Sequence, residues 1–159
     1  MKNFLILLVA LCCSTGHASE NDLLERAVGC DLRDEEVASL VKTLKATHPD
    51  FKKSSLQYAL PTADVYQLAN PLRAIGYASN QVVITPARIL MVLPNETISS
   101  VVQALGLKEM PFSPMRREIR PTVSIVAFHL SHKALAGKLL LGCEYANSNS
   151  ASWFQEEKW

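Results

Sequence analysis

The chain has 159 residues, 48% of them hydrophobic and 19% charged, with 16 lysines and arginines against 15 aspartates and glutamates. Such a balance excludes a strongly basic nucleic-acid or anionic-membrane binder, and the length suits one ordinary domain with a sizeable core. The first 18 residues have Lys2, an unbroken apolar run from Phe4 to Cys13, then small residues at Gly16 and Ala18. This pattern predicts a secretory signal peptide cleaved after Ala18. The run is about half the length that a bilayer core requires, which argues against an anchor, and no later stretch is apolar for long enough to span a membrane.

Cleavage would take one basic residue and no acidic one, so the formal charge falls from +1 to zero. It would also take two of the four cysteines, leaving Cys30 and Cys143 as an even pair in a chain bound for an oxidising compartment. They are expected to form a structural disulfide, stabilising by about 4 to 5 kcal/mol on loop-entropy grounds. Neither a C-x-x-C redox motif nor a cluster of zinc ligands accompanies them. In GCD the expectation is that Gly29 lets the chain turn and Asp31 caps the next helix; in GCEY, that Gly142 permits close approach within the last strand. The start of the first long helix should therefore lie beside that strand.

In chain order, residues 20 to 28 have Leu23, Leu24, Ala27 and Val28 at helical spacing, enough for a turn or two. The clearest helix follows, with Val37, Leu40, Val41 and Leu44 forming one stripe. Asp31 or Asp34 is positioned to cap it, Glu35 and Glu36 lie at its positive end, and Pro49 stops it. Residues 55 to 60 alternate like a strand, whereas 64 to 69 fit a strand or a helical turn equally. LRAIGY and QVVIT read as a hairpin around Ala78-Ser79-Asn80, and RILMVL at 88 to 93 as a strand after Pro86, which suits a connection or an edge.

A second amphipathic helix repeats the stripe at Ile98, Val101, Val102 and Leu105, with Asn95 as cap and Gly106 as terminator. Asn95-Glu96-Thr97 also matches the N-glycosylation acceptor pattern. Residues 108 to 121, with three prolines and three arginines and no period, read as an irregular surface loop. Residues 122 to 130 and 138 to 145 are the most strand-like runs, the former reading as a central strand. The segments predict a signal peptide at 1–18, one domain at 19–146 and a polar tail with aromatics at 147–159. The fold expected is α+β: a mainly antiparallel sheet of about five strands with two amphipathic helices on one face, in the order helix, three or four strands, helix, two strands.

No motif for chemistry emerges. His129 and His132, three apart on a strand, would point to opposite faces and lack a third ligand, so no metal site is expected. No serine sits in G-x-S-x-G, no glycine-rich phosphate loop is present, and no cofactor is implied. The densest positive patch, Arg116, Arg117 and Arg120 beside Phe112, Met115 and Ile119, reads as a partner-recognition loop, and Trp153 and Phe154 in the tail as a second contact. The functional expectation is a small exported binding protein, periplasmic or extracellular, of inhibitor or immunity type and contacting another protein. Its alternatives are an exported hydrolase-like enzyme using His48, His129 or Asp64 as base, and an accessory subunit of a cell-envelope assembly.

Overall fold

The structure, a computed structural model, describes residues 19–59, 62–111, 113–129 and 135–146. Helix α1 (Glu20–Val28) starts where the Ser19 hydroxyl accepts the Asp22 backbone N–H at 3.2 Å. It ends in a Schellman reversal: the Asp31 N–H bonds to the Arg26 carbonyl at 2.8 Å and the Cys30 N–H to the Ala27 carbonyl at 3.3 Å. The left-handed residue there is Cys30, at φ 64°, and not Gly29, at φ −78°. The turn that the sequence assigns to glycine is thus made by the cysteine.

Helix α2 (Asp34–Thr47) buries the stripe Val37, Leu40, Val41 and Leu44 as its spacing predicts. Neither Asp31 nor Asp34 caps it. The Glu36 carboxylate accepts the Arg33 backbone N–H at 2.8 Å and its guanidinium at 3.2 Å, which holds Glu36 below the usual carboxylate range. Asp31 pairs backwards with Arg26 at 3.2 Å. A 3₁₀ turn, Pro49–Phe51, follows.

Seven strands then form one antiparallel sheet: β1 (Leu56–Ala59), β2 (Thr62–Ala74), β3 (Tyr77–Thr85), β4 (Arg88–Leu93), β5 (Met115–Arg120), β6 (Val123–His129) and β7 (Leu139–Tyr145). Their order is β1-β2-β3-β4-β7-β6-β5, two meanders joined where β7 pairs with β4. Helix α3 (Ile98–Leu105) bridges the meanders, capped by the Thr97 hydroxyl rather than Asn95, and ends at left-handed Gly106. The α+β expectation therefore holds, with helices on one face.

The additional strands come from segments whose sequence hides them. Residues 64 to 69 belong to the long strand β2, whose pairing shifts register between Gln67 and Leu72, where Pro71 lies and has no N–H to offer. Its hairpin with β3 turns at Ile75 and Gly76, at φ 54° and 82°, so residues 78 to 80 are already strand. The proline-rich arginine segment is irregular only as far as Pro114; from Met115 it is edge strand β5. Strand β6 has neighbours on both sides, but the middle of the order is β4.

Both sides of the sheet are partly covered against further pairing. Beyond β1, backbone N–H groups of β2 at Ala69 and Arg73 are taken by the carboxylates of Asp50 and Glu25, each at 2.9 Å. On the opposite edge, Lys108 exchanges both backbone bonds with Arg116, at 2.8 and 2.9 Å, and β5 shifts register between Glu118 and Arg120.

Strand alternation separates two cores. Ile89, Met91 and Leu93 of β4, with Leu139, Leu141, Cys143 and Tyr145 of β7, pack in the cluster that includes all three helices. Leu90, Val92 and Leu140 belong to a smaller cluster on the far face, with Val83, Val126 and Leu135. Cys30 and Cys143 form a disulfide, with Cα atoms 5.1 Å apart and a sequence separation of 113. The junction of α1 and α2 therefore lies against β7, as the cysteine pairing predicts. Gly142 is required beside it, because a Cβ there would stand 2.3 Å from the Ile89 carbonyl oxygen and 2.8 Å from the Leu90 Cα.

Candidate functional site

Strand β5 separates the three arginines that the sequence groups together. Arg116 points away from the helices, donates to the Ser124 hydroxyl at 2.8 Å and lies 3.5 Å from Glu144 Oε1. The register shift after Glu118 turns Arg120 to the helix face, where it donates to the carbonyls of Cys30, at 2.7 Å, and Leu32. Arg117, between them, is exposed and makes no hydrogen bond or ion pair among the described residues. The same segment carries Met110 and Ile119, the large hydrophobic side chains that are exposed, at 47% and 44%, among the described residues. Phe112, Trp153 and Phe154 lie outside the described residues, as do His132 and residues 1–18, where a signal peptide is expected.

On the far face the register aligns Arg88 of β4 with Glu144 of β7, and Glu144 with Ser124 of β6. Arg88 Nε and Nη2 reach Glu144 Oε2 at 2.6 and 2.5 Å, and Glu144 is only 7% exposed. A buried carboxylate of this kind is tolerable because two guanidinium groups face it. The guanidinium carbon of Arg88 also stands 5.2 Å from the centre of the Phe128 ring. Gly142 lies on the diagonal between them, opposite Leu90 on one side and Val126 on the other, so no side chain obstructs the contact.

These groups border a cavity of about 380 Å³, with Ala63, Val83, Leu140 and Phe128 as its apolar lining and Arg88 and Glu144 at its polar end. A second concavity, about 360 Å³, lies at the β2–β3 turn from Arg73 to Ala78 and gathers no comparable set of charges. Sequence reasoning missed Arg88, Phe128 and Glu144. The signal that could have found two of them was alternation: in RILMVL and LLLGCEY each occupies a position facing away from the main core.

The candidate bases are held apart in structural roles. Asp64 is buried on the helix face, its Oδ2 accepting from Lys45 Nζ and from the Tyr66 hydroxyl, each at 3.1 Å. Burial, and then the charge of Asp64, push the Tyr66 hydroxyl above the ordinary tyrosine range. His48 Nδ1 accepts the Asp50 N–H at 3.3 Å, and His129 Nδ1 meets the Lys138 carbonyl at 3.0 Å. No two of these three bases share a hydrogen bond among the described residues. Nor do the described residues contain a group of three or more histidine, cysteine or acidic side chains able to hold a metal ion.

Compared with family models, curated proteins and solved structures, the chain matches none of them.

Proposed function

We propose that the chain is an exported, disulfide-stapled binding protein of inhibitor or immunity type, which contacts another protein through β5 and the segment leading into it. The observation that carries this reading is Arg117, exposed and unpaired among the described residues, on a segment whose Met110 and Ile119 are also exposed. Arginine, methionine and other large apolar side chains are what the cores of protein interfaces favour. At Arg116 the outer edge of β5 is already paired with Lys108, which favours recognition through the side chains of this segment. The partner surface that complements this patch is an apolar depression beside a carboxylate. Export is supported by the signal pattern at residues 1–18 and by the compartment in which a disulfide persists.

The test is retention of a partner from envelope or culture fractions on the immobilised mature domain. Arg117→Ala combined with Ile119→Ser should weaken a stoichiometric complex at least tenfold while the urea midpoint stays unchanged. Unchanged affinity, or a wild-type domain that retains no stoichiometric partner, would overturn the reading.

A further inference from the structure

Strands β4 and β7 carry apolar side chains on both faces: Ile89, Met91 and Leu141 toward the helices, Leu90, Val92 and Leu140 away from them. A sheet with one bare face alternates apolar with polar residues, whereas continuous apolar runs belong to strands covered on both sides. In the far-face cluster Val83, Leu90, Val92, Val126 and Leu140 are at most 1% exposed. Among the described residues, none from α1, α2 or α3 belongs to that cluster, and Leu135 is its one member from outside the strands. Water would reach these side chains on a bare sheet, and one leucine is too small to shield four strands.

Of the segments outside the described residues, 1–18 and 147–159 are the long ones. The first joins α1 at Ser19, on the helix side, and is expected to be removed on export. The second leaves from Ala146, which borders the far-face cavity and whose N–H is held by the Thr122 carbonyl at 2.7 Å. Chemistry along this tail follows the chemistry along the face. Running back from Ala146, the face presents the paired Glu144 and Arg88 with Ser124, then Gly142 beside Leu90, then Leu140 beside Val92. The tail presents small and polar residues from Asn147 to Ser152, then Trp153 and Phe154. From Ala146 to Trp153 an extended chain reaches about 24 Å, whereas β7 from Glu144 back to Leu140 spans about 14 Å, which leaves slack for the reversal. We propose that residues 147–159 are the cover of the far face: the tail turns back after Ala146, crosses the ion pair and seats Trp153 and Phe154 on Leu90, Val92 and Leu140. Each such aromatic side chain buries about 150 to 250 Å². The aromatic pair is then a second core layer supplied by the same chain, and not the partner contact that its composition suggests.

Trp153 and Trp159 are the tryptophans of this chain, so its tryptophan fluorescence reports the tail alone. In the full mature protein carrying Trp159→Phe, Trp153 should emit to the blue of N-acetyltryptophanamide, and acrylamide should quench it several-fold less. Both properties should vanish in the same urea transition as the backbone dichroism. By NMR the Trp153 indole should contact methyl groups of Leu90, Val92 or Leu140. Trp153→Ala combined with Phe154→Ala should lower the urea midpoint and shift those methyls more than the methyls of Ile89 and Leu141 on the helix face. The Trp159→Phe measurement decides the matter even if the double variant does not fold. Solvent-like emission and quenching of Trp153 in the folded protein, or indole contacts to the helix face, would overturn the proposal. So would shielding that disappears on dilution, which would assign the cover to a second copy of the chain. None of these results touches the β5 reading, since Met110, Arg117 and Ile119 take no part.

Discussion

On the helix side of β7, Cys143 is bonded to Cys30 and the Tyr145 hydroxyl donates to the Ala27 carbonyl at 2.7 Å; on the far side, Glu144 faces two arginines at the end of a cavity. The same division runs along β5, where Arg120 clamps the α1–α2 junction and Arg116 meets Ser124 and Glu144 on the far face. On the helix face these groups are consumed in fixing a backbone reversal, so their removal should cost stability. On the rim of β5 Arg117 is unpaired among the described residues, so its removal should cost binding. A residue's type does not decide which happens; its place along the strand does, since Arg117 and Arg120 pair with Ile125 and Val123 on the same face yet only Arg120 reaches the α1–α2 junction.

The largest effect that can break this comparison is loss of the staple. Cys30→Ala with Cys143→Ala frees a loop with a sequence separation of 113 and should lower the unfolding free energy by about 4 kcal/mol in urea titration. A loss below about 1 kcal/mol would show that the junction is held mainly by other contacts. Next comes Arg120→Ala, which strips charge-assisted bonds from the Cys30 and Leu32 carbonyls and should cost about 2 kcal/mol.

Tyr145→Phe should cost about 1 kcal/mol through the lost bond to Ala27. It should also alter the alkaline limb. Burial pushes the Tyr145 hydroxyl above the ordinary tyrosine range by more than the positive charge of Arg120 pulls it down. The folded protein therefore keeps this proton where the unfolded chain loses it, above about pH 10. That stability is fully present below the unfolded value and is lost as pH rises through the folded one. The variant should show a shallower fall of unfolding free energy above pH 10, with the remainder due to Tyr66, which is raised in the same way. An unchanged slope would count against the assignment.

What was legible in the sequence was what depends on short-range periodicity. The stripe Val37, Leu40, Val41 and Leu44, the strand Arg88–Leu93 and the close approach at Gly142 all follow from local spacing. The disulfide was legible too, because only two cysteines lie outside the segment that reads as a signal, and they have only each other. Caps were less legible, since Thr97 and Asn95 are both good caps and only the chain's path chooses between them. The Arg88–Glu144 pair was out of reach: its partners are 56 residues apart and meet only through strand register. The roles of Arg116, Arg117 and Arg120 depend on a register shift after Glu118, which moves Arg120 to the opposite face, and nothing in RREIR announces it.

The smallest predicted effect makes the sharpest control. Arg117→Ala should leave the unfolding free energy within about 0.5 kcal/mol of the parent, as exposed sites do. The central claim is tested most directly by the difference in urea unfolding between Arg117→Ala and Arg120→Ala, two alanine substitutions three positions apart on one strand. The account predicts that Arg120→Ala is less stable by about 2 kcal/mol. Equal stabilities, or a greater loss at Arg117, would contradict it.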